Sequence, residues 1–374
     1  MNNKVGIERC NGYNPEELYR ALKAAAQAAG IPEAAGKTVL LKPNILMDTS
    51  PDRAVTTHPC FLEAAIRLVR EWGASRILVG DSPGIQGPNY YPRASGLRET
   101  AQKNNAEWVD FTKTKMELES KGAKVQRRFT VTGYLDECDL VINLPKLKTH
   151  QLMYFTGAMK NSFGIIPSLA KTPFHVRYPT REAFASMIVD LNLAVKNVYA
   201  LMDAVVAMEG PGPGSGSPRN LGLVLASSNF LAMDAAACSI VGYPPEKIPT
   251  NRDALVRQYW LKNFSEIEYP LLNPEEVKVQ DFIKIPFKKS GNQFLDFIVP
   301  WPFRKFKEKS AALPAIDHSI CLRCGDCIKI CASGAISFEG EGNARQAVVD
   351  KRRCIRCYCC HEICPHKAIE VKNN

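Results

Sequence analysis

The sequence predicts an α/β protein with a layered, largely parallel sheet, followed by a small, cysteine-rich α+β domain. Over the first ~280 residues, short apolar stretches alternate with longer Ala/Leu-rich ones, as strands and helices of a parallel sheet do. Nine of the 13 cysteines lie between Cys321 and Cys364. We therefore divide the 374-residue chain into a front domain (residues 1–281), a basic aromatic linker (282–312) and a C-terminal domain (313–374).

The elements of the front domain follow from composition. Strands are predicted in short β-branched stretches: Lys4–Arg9, Thr38–Lys42, Arg76–Gly80, Asp139–Leu144 and Val198–Met202. Helices are predicted at Pro15–Ala29, Pro59–Trp72, Pro92–Asn104 and Arg181–Lys196. Three of these helices begin with proline, which a first helical turn tolerates because its N–H has no intrahelical partner. We interpret His58, just before Pro59, as a capping or structural residue.

Composition and charge exclude several classes of protein. A hydrophobic content of 45% and a charged content of 23% match a folded globular chain rather than a disordered or coiled-coil one. No apolar stretch reaches the ~18 residues of a membrane helix, and the N-terminus has no signal-peptide core, so we expect a cytoplasmic protein. A net charge of +10 without a recognised nucleic-acid-binding motif argues against a nucleic-acid partner.

The linker has its own composition. Residues 282 to 310 include seven basic and two acidic residues, and seven aromatic residues are interspersed with prolines. We interpret it as a connection that packs its aromatic side chains on a neighbouring domain. The alternatives are docking of an acidic partner and peripheral contact with a membrane surface.

The cysteines of the C-terminal domain form two runs with the same spacing. They are Cys321-x2-Cys324-x2-Cys327-x3-Cys331 and Cys354-x2-Cys357-x2-Cys360-x3-Cys364-Pro365. In such runs three thiolates bind one [4Fe–4S] cluster and the fourth reaches the other cluster. The spacing therefore predicts two [4Fe–4S] clusters. Their ligands are a first cysteine group (Cys321, Cys324, Cys327 and Cys364) and a second cysteine group (Cys331, Cys354, Cys357 and Cys360).

Structural zinc is the alternative, since Cys-x2-Cys pairs also build tetrahedral zinc sites. Two complete four-cysteine runs favour iron–sulfur clusters. The domain resembles a bacterial-type two-cluster ferredoxin, with two departures. Ala332 follows Cys331 where the family has proline, and Cys359 is an extra thiol, interpreted as a non-ligand. Electron transfer is the function that this resemblance implies.

The front domain carries charged and polar residues just beyond its predicted strands, where ligands of open α/β sheets bind. Three are candidate substrate-binding residues: Lys42, Asn44 and Asn161. Seven are candidate catalytic residues: Asp81, Lys146, Lys148, His150, Lys160, Asp203 and Glu209. The lysines would neutralise an anionic substrate, and Lys160 or His150 would donate a proton. The carboxylates would orient these groups or bind a divalent cation, and solvated loop charges are the alternative interpretation.

Two glycine-containing regions do not predict nucleotide binding. The loop from Gly210 to Pro218 alternates glycine with proline, which removes the N–H donors that a phosphate cradle needs. We expect a rigid loop or lid beside the site. The stretch after the first strand, around Asn11-Gly12, lacks a dinucleotide-binding pattern.

Five separated strings resemble the family called domain of unknown function 362. They are VLLKPNIL (39–46), VGDSPG (79–84), LVINLPKLKTH (140–150), TGAMKNSFGIIP (156–167) and MDAVVAMEGPGPGSG (202–216). Their order along the chain is that of the family. The resemblance implies an α/β front domain, often followed by a two-cluster ferredoxin segment. It implies no catalytic role for any residue.

These observations predict an iron–sulfur oxidoreductase. A low-potential donor such as a ferredoxin would reduce the two clusters, and the electrons would pass to a small, anionic substrate beyond the strand ends. The alternative is a non-catalytic electron-transfer or assembly protein whose front domain is a docking platform. A concave site where the lysines and carboxylates meet would distinguish the two, because a docking platform does not need one.

Overall fold

The computed structural model describes residues 2–85, 92–287 and 312–372. Its strands are β1 (Val5–Arg9), β2 (Thr38–Pro43), β3 (Arg76–Val79), β4 (Glu107–Trp108), β5 (Lys115–Glu119), β6 (Arg128–Thr132), β7 (Leu140–Leu144), β8 (Lys146–His150), β9 (Tyr154–Thr156), β10 (Val198–Glu209), β11 (Ser217–Ser227), β12 (Leu313–Ile316), β13 (Ile336–Glu339), β14 (Gln346–Val349) and β15 (Ile369–Lys372). Its α-helices are α1 (Pro15–Ala28), α2 (Pro59–Glu71), α3 (Leu97–Lys103), α4 (Ala158–Asn161), α5 (Thr172–Arg177), α6 (Arg181–Ala194), α7 (Phe230–Ile240), α8 (Pro249–Arg257), α9 (Asp326–Lys329) and α10 (Cys359–Ile363).

A nine-stranded sheet organises the front domain. Seven strands follow the order β1-β11-β10-β7-β2-β3-β4, and β8 and β9 extend from β10. The pairs from β10 to β4 are parallel, whereas β11 and β1 are antiparallel. The predicted layered and largely parallel sheet is confirmed.

Alternation along the strands creates a core on each face of this sheet. In β2, Val39 and Leu41 pack with residues of α1 and α2, whereas Leu40 packs with residues of α6 and α7. Side chains of successive strand residues point to opposite faces, so one apolar strand contributes to both cores. Helices therefore cover the sheet on both sides.

Local capping explains where two of the helices begin. The Asn14 side chain accepts hydrogen bonds from the backbone N–H groups of Glu16 and Glu17 at the start of α1. His58 Nδ1 accepts the N–H of Cys60 at 3.2 Å at the start of α2. These bonds satisfy N–H groups that have no partner within the helix. The capping interpretation of His58 is confirmed.

Two predicted boundaries are wrong. The helix predicted from Pro92 begins at Leu97, because the Asp48 carboxylate binds the N–H groups of residues 93–95 before the helix starts. The strand predicted to end at Met202 continues to Glu209 and pairs along its length with β11. Asp203 and Glu209 therefore lie within a strand rather than in a loop beyond it.

The C-terminal domain consists of short pieces around the cysteines. Strand β12 pairs with β15 and β13 pairs with β14, both antiparallel, and the helices α9 and α10 are one turn each. This agrees with the predicted small α+β domain. No helix among the described residues is long and apolar enough to span a membrane.

The described end of the linker packs on the front domain. Phe282 is 4% exposed, and the ring of Phe287 lies 4.7 Å from that of Tyr154 and 5.6 Å from that of Tyr243. The rest of the basic aromatic stretch, residues 288–311, lies outside the described residues. The predicted domain boundaries and surface contacts of the linker stay predictions.

Candidate functional site

A cavity of about 110 Å³ lies where the front domain meets the C-terminal domain. Its front-domain side includes the end of β8, helices α4 and α5, and the loop that follows β3. Its C-terminal side is formed by Ile330, Cys359, Glu362 and Ile363. The cavity thus has walls from two parts of the chain that are far apart in sequence.

Three lysines line this cavity with different hydrogen-bonding environments. Lys148 Nζ donates to Asn44 Oδ1 and to the Val55 carbonyl, each at 2.7 Å. Lys171 Nζ donates to the carbonyl of Ser82 at 2.7 Å. Among the described residues Lys160 Nζ has no hydrogen-bond acceptor and no carboxylate within 4 Å, and it lies 5.1 Å from the ring centroid of Phe163. Lys160 is therefore the lysine whose ammonium is available to a ligand.

Burial makes these lysines easier to deprotonate. Burial, together with a smaller effect of the neighbouring Lys160, lowers the pKa of Lys148 to about 7. Burial likewise lowers the pKa of Lys171 to about 7, although Asp81 opposes the effect. The pKa of Lys160 is also lowered by burial and partly restored by Glu362. The cause in each case is that a charged amine loses hydration when it is buried.

An amide chain fixes the position of Lys148. Asn44 Oδ1 accepts from Lys148, and Asn44 Nδ2 donates to Asn161 Oδ1 at 3.0 Å. Asn161 Nδ2 donates in turn to Asn143 Oδ1 at 2.6 Å, and Asn143 Nδ2 donates to the carbonyl of Ala158. Asn44 and Asn161 both line the cavity. Each amide in this chain has a defined orientation, so the polar wall of the cavity is held in one arrangement.

Lys42 and Asp81 form a buried ion pair behind the cavity wall. Lys42 Nζ lies 2.8 Å from Asp81 Oδ1, and both side chains are almost fully buried. Asp81 Oδ2 accepts the N–H of Ile45 at 2.6 Å. A Cβ on Gly164 would lie 2.1 Å from Asp81 Oδ1, so glycine is required for the chain to pass this pair. Asp81 reaches the cavity surface, whereas Lys42 is neutralised behind it.

Two histidines face the cavity. His150 Nδ1 accepts the N–H of Leu152 at 3.1 Å, which places the ring hydrogen on Nε2, and Nε2 lies 3.4 Å from Glu362 Oε1. Burial holds the pKa of His150 well below its usual value. His175 is 7% exposed, and its Nδ1 has no hydrogen-bond partner among the described residues. Burial lowers the pKa of His175 to about 3, so its ring is neutral.

Glu362 is the carboxyl group that the C-terminal domain contributes to the cavity. It is 9% exposed, and its Oε1 has no hydrogen-bond partner among the described residues. Burial raises the pKa of Glu362 to about 7, whereas Lys160 and Lys148 lower it. The cavity is therefore lined by three amines and two carboxyl groups. The amines belong to Lys148, Lys160 and Lys171, and the carboxyl groups belong to Glu362 and Asp81.

Lys146 and Asp203 belong to a different, closed network. Lys146 Nζ lies 2.8 Å from Asp203 Oδ2 and from the hydroxyl of Tyr13, which donates to Asp203 Oδ1 at 2.9 Å. The ring of Tyr13 stacks on that of His58 at 3.6 Å. Neither Lys146 nor Asp203 lines the cavity. Each of these buried charges needs the other to compensate it, so the contacts of Lys146 and Asp203 are explained by a structural role.

Glu209 is also outside the cavity. It accepts the N–H of Ile283 at 2.9 Å and lies 4.0 Å from Arg219. Thus Asp81, Asp203 and Glu209 each have a separate cationic or N–H partner instead of converging. Among the described residues no three His, Cys, Asp or Glu side chains are grouped so as to hold a single metal ion.

Eight of the nine cysteines of the C-terminal domain make up the two predicted groups, and members of each group lie near one another. All four thiols of the first cysteine group line one small cavity. In the second group, Cys360 is buried and Cys357, Cys354 and Cys331 are among the thiols close enough to raise its pKa further. Backbone N–H groups donate to Cys331 Sγ at 3.1 Å and to Cys364 Sγ at 3.3 Å. Four sulfur donors in each group fit a [4Fe–4S] cluster.

The extra thiol of Cys359 faces the cavity beside the second group. It lies close enough to Cys357 to lower the pKa of that thiol. It also packs with Ile330 and Ile363 against Met47 and Val55 of the front domain. Cys359 therefore connects a cysteine of the second group to the cavity wall.

Polar contacts hold the two domains together around the cavity. Arg53 donates to the carbonyls of Pro365 and Gly214 at 3.1 and 3.2 Å. His361 Nε2 lies 3.0 Å from the carbonyl of Pro211, and Lys367 donates to that of Gly216 at 3.1 Å. The glycine- and proline-rich loop after β10 is thus packed against α10, and its Pro213 lines the cavity.

Sequence reasoning did not identify Lys171, His175, Glu362 or Cys359 as cavity residues. Lys171 and His175 follow no predicted strand, and their position depends on how the chain folds back after α4. Glu362 was visible only as a residue between two predicted cluster ligands. The available signal was chemical: Glu362 and the extra thiol of Cys359 lie among the predicted metal ligands without being ligands themselves.

Comparison with known proteins gives two family matches. Residues 39–239 match the model of the domain of unknown function (DUF362), and residues 320–368 match the 4Fe-4S dicluster domain. A thylakoid-associated protein from Synechocystis sp. is 30% identical over 290 residues, which cover 76% of this chain and 88% of that protein.

Two solved structures have a low overall similarity to this chain. The lactate racemase apoprotein from Thermoanaerobacterium thermosaccharolyticum has a TM-score of 0.38 and 14% identity, over 61% of this chain and 54% of the racemase. A Thermotoga maritima protein has a TM-score of 0.37 and 12% identity, over 61% of this chain and 59% of that protein. The chain thus spans little more than half the length of either.

Proposed function

The chain belongs to the family of the domain of unknown function (DUF362) and carries a 4Fe-4S dicluster domain, and from this premise we propose that it is an iron–sulfur oxidoreductase. Its substrate is a small anion bound in the cavity between the two domains. The dicluster domain supports iron–sulfur electron transfer, and bound clusters of this kind supply one-electron transfer at low potential.

The observation that carries the proposal is the composition of the cavity wall. Ile330, Cys359 and Ile363 each precede a cysteine of the two groups, and all three line the same cavity as Lys148, Lys160 and Lys171. A ligand in the cavity would therefore contact both the cationic end of the front domain and the immediate neighbours of cluster ligands. This arrangement favours an enzyme over a docking platform, which needs no such cavity.

The eight predicted cysteines would hold two clusters. The first cysteine group would bind one cluster and the second cysteine group the other. The cavity that all four cysteines of the first group line, and the short distance between Cys360 and the other cysteines of the second group, support this assignment. Cys359 would remain a thiol, close to Cys357 and facing the ligand.

Charge and size define the substrate class. Among the described residues no carboxylate lies within 4 Å of Lys160 Nζ, although Glu362 is near enough to raise its pKa. An anionic group of the ligand would therefore complete its environment. The neutral ring of His175 would contact the same ligand. A volume of about 110 Å³ holds about eight atoms of water size. We therefore propose a compact carboxylate or comparable oxyanion, with the negative charge that develops on reduction stabilised by Lys160.

The test compares Lys160→Met with Lys103→Met in protein purified without oxygen. Lys103 is an exposed lysine of α3 and serves as the matched control. The probes are pyruvate, crotonate, sulfite and phosphate, with binding followed by calorimetry and by perturbation of the reduced EPR spectrum. We expect at least one probe to bind, with its affinity lowered about tenfold or more in Lys160→Met and unchanged in Lys103→Met.

Iron and sulfide analysis accompanies the binding measurement. We expect about eight of each per chain in both variants, with EPR signals of interacting reduced clusters. The proposal is wrong if Lys160→Met keeps its clusters and binds the probes as the unchanged protein does. If the protein contains zinc, or iron without a reducible EPR signal, the proposed oxidoreductase function is wrong as well.

A further inference from the structure

His175 is a polar side chain of the cavity wall that has no hydrogen-bond partner in the protein as far as it is described. It lies in α5, is 7% exposed and lines the same cavity as Lys160. Its Nδ1 is sealed from solvent without a partner. Its Nε2 is not sealed in this way, and no described residue hydrogen-bonds it. Because buried polar groups in folded proteins are nearly always hydrogen-bonded, such a histidine in a cavity wall is a candidate ligand-binding group.

Two aromatic side chains fix the position of the His175 ring. The ring stacks on that of Phe184, with the centroids 4.6 Å apart and an angle of 17° between the planes. It lies edge-on to the ring of Phe163 at 6.1 Å. Phe163 and Phe184 also pack against each other, with their centroids 5.5 Å apart. Ring packing rather than hydrogen bonding therefore holds the imidazole in one orientation.

Lys160 lies against the same two aromatic rings. Its Nζ is 5.1 Å from the ring centroid of Phe163 and 5.7 Å from that of Phe184. An ammonium group beside an aromatic ring is attracted by the electrons of the ring. Lys160 is also near enough to His175 to lower its pKa. The ammonium and the imidazole are thus neighbours in one small cavity, where a single compact ligand can contact both.

These two groups offer a ligand different interactions. Burial, with a smaller effect of Lys160, lowers the pKa of His175 to about 3, so the ring is neutral and has one N–H. A buried N–H without an acceptor is rarer than a buried acceptor without a donor. We therefore assign the ring hydrogen to Nε2 rather than to the sealed Nδ1. A neutral N–H suits an uncharged oxygen acceptor, whereas the ammonium of Lys160 suits a carboxylate.

We propose that the ligand of the cavity is a short carboxylate with an adjacent keto oxygen, and that His175 determines this specificity by donating its Nε2–H to the keto oxygen. The carboxylate lies at Lys160, and the volume of about 110 Å³ favours a short chain. A site built in this way discriminates against an analogue without the oxygen, because the donor is then left unpaired. The inference rests on the proposed function and adds to it the substrate class and the residue that selects it.

The experiment measures ligand binding by calorimetry in cluster-loaded, full-length protein purified without oxygen. The probes are pyruvate and isobutyrate, which have the same charge and similar size, but isobutyrate has a methyl group in place of the keto oxygen. His175→Phe keeps an aromatic ring and removes the N–H, whereas His175→Gln keeps an N–H donor. Phe174→Leu is the matched control, because Phe174 belongs to α5 and packs on Phe163 without lining the cavity.

We expect the unchanged protein and Phe174→Leu to bind pyruvate about tenfold more tightly than isobutyrate, as one neutral hydrogen bond provides. His175→Phe should lower the affinity for pyruvate about tenfold and leave that for isobutyrate unchanged, so the preference disappears. His175→Gln should restore part of the preference. A purely structural role of His175 would change both affinities equally, so the ratio of the two affinities separates recognition from packing.

Equal affinities for pyruvate and isobutyrate in the unchanged protein would overturn the proposal without any variant. So would a preference that survives in His175→Phe, or one that is lost to the same extent in Phe174→Leu. Phosphate, which has no keto oxygen, separates this proposal from the proposed function. If phosphate binds and Lys160→Met weakens its binding while pyruvate shows no preference, the role of His175 is wrong and the anion site stands. If no anion binds, both proposals are wrong.

Discussion

Lys148 and Lys171 show how burial sets the chemistry of single residues. Both ammonium groups already have carbonyl or amide acceptors, yet burial lowers both pKa values to about 7. Each is therefore charged below pH 7 and loses its proton as the pH rises through that value. Lys160 differs because its positive charge has no acceptor among the described residues, so a ligand gains most by approaching it.

This titration predicts a pH dependence of anion binding. Because the positive charge of the cavity decreases as the pH rises above about 7, the affinity for an anionic probe such as pyruvate should fall between pH 7 and pH 9. The slope should be at most about tenfold per pH unit for each proton lost. Calorimetry from pH 6 to pH 9 measures it. Lys148→Met should flatten the curve, and a pH-independent affinity in the unchanged protein would contradict the prediction.

At the scale of elements, α10 and the loop after β10 determine whether the cavity is closed. Helix α10 carries Cys359, Glu362 and Ile363 into the cavity, and the loop supports it from outside. A Cβ on Gly214 would lie 2.4 Å from the Glu362 carbonyl, so the two backbones pack directly against each other. The loop is a structural support for one cavity wall, which explains its glycine and proline content.

We therefore expect Gly214→Ala to displace α10 without unfolding the front domain. Overpacking of this kind costs about 1–3 kcal/mol, here at the interface of the two domains. Amide hydrogen exchange in α10 should become faster, and affinity for an anionic probe should fall. Gly12→Ala is the control, since a Cβ there meets no atom within 4 Å. Equal exchange rates in α10 of both variants would show that the contact is dispensable.

The elements also show what sequence patterns can and cannot predict. The strands β2, β3 and β7 and the helices α1 and α2 follow from apolar periodicity and proline positions, and they agree with the structure to within two residues. The pattern failed at Pro92, where Asp48 binds the backbone from a distance in sequence, and at Met202, where pairing with β11 extends β10. Both errors come from contacts between distant residues.

On the scale of the whole molecule, the two cysteine groups share one small domain but differ in their surroundings. The first is open at Cys324, and the second lies against the front domain. The positions of Asn44, Asp81, Lys148 and His150 after predicted strands predict that they lie together, since one edge of a parallel sheet collects them, and all four line the cavity. Lys160 and Asn161 reach the same cavity from α4. Lys146 and Asp203 share that edge but satisfy each other, which sequence spacing does not reveal.

This organisation predicts a partial loss of iron in Cys324→Ala. One cluster loses a ligand while the second cysteine group and the interface remain, so iron should fall from about eight to about four atoms per chain. The far-UV circular dichroism of the front domain should be unchanged. Cys138→Ala, which removes a thiol outside both groups, should keep all its iron. Loss of all soluble protein in Cys324→Ala would show that the two domains do not fold independently.

The shared cavity also bears on how function is inherited. The match to the family model covers residues 39–239 and ends more than a hundred residues before the wall that Cys359, Glu362 and Ile363 supply. A relative with the same front domain but another C-terminal partner would keep the lysines and lack the thiol and carboxyl group opposite them. Relatives that share only the front domain therefore share only one wall of the cavity. Ligands and reactions should be compared only among chains that have both the front domain and the C-terminal domain.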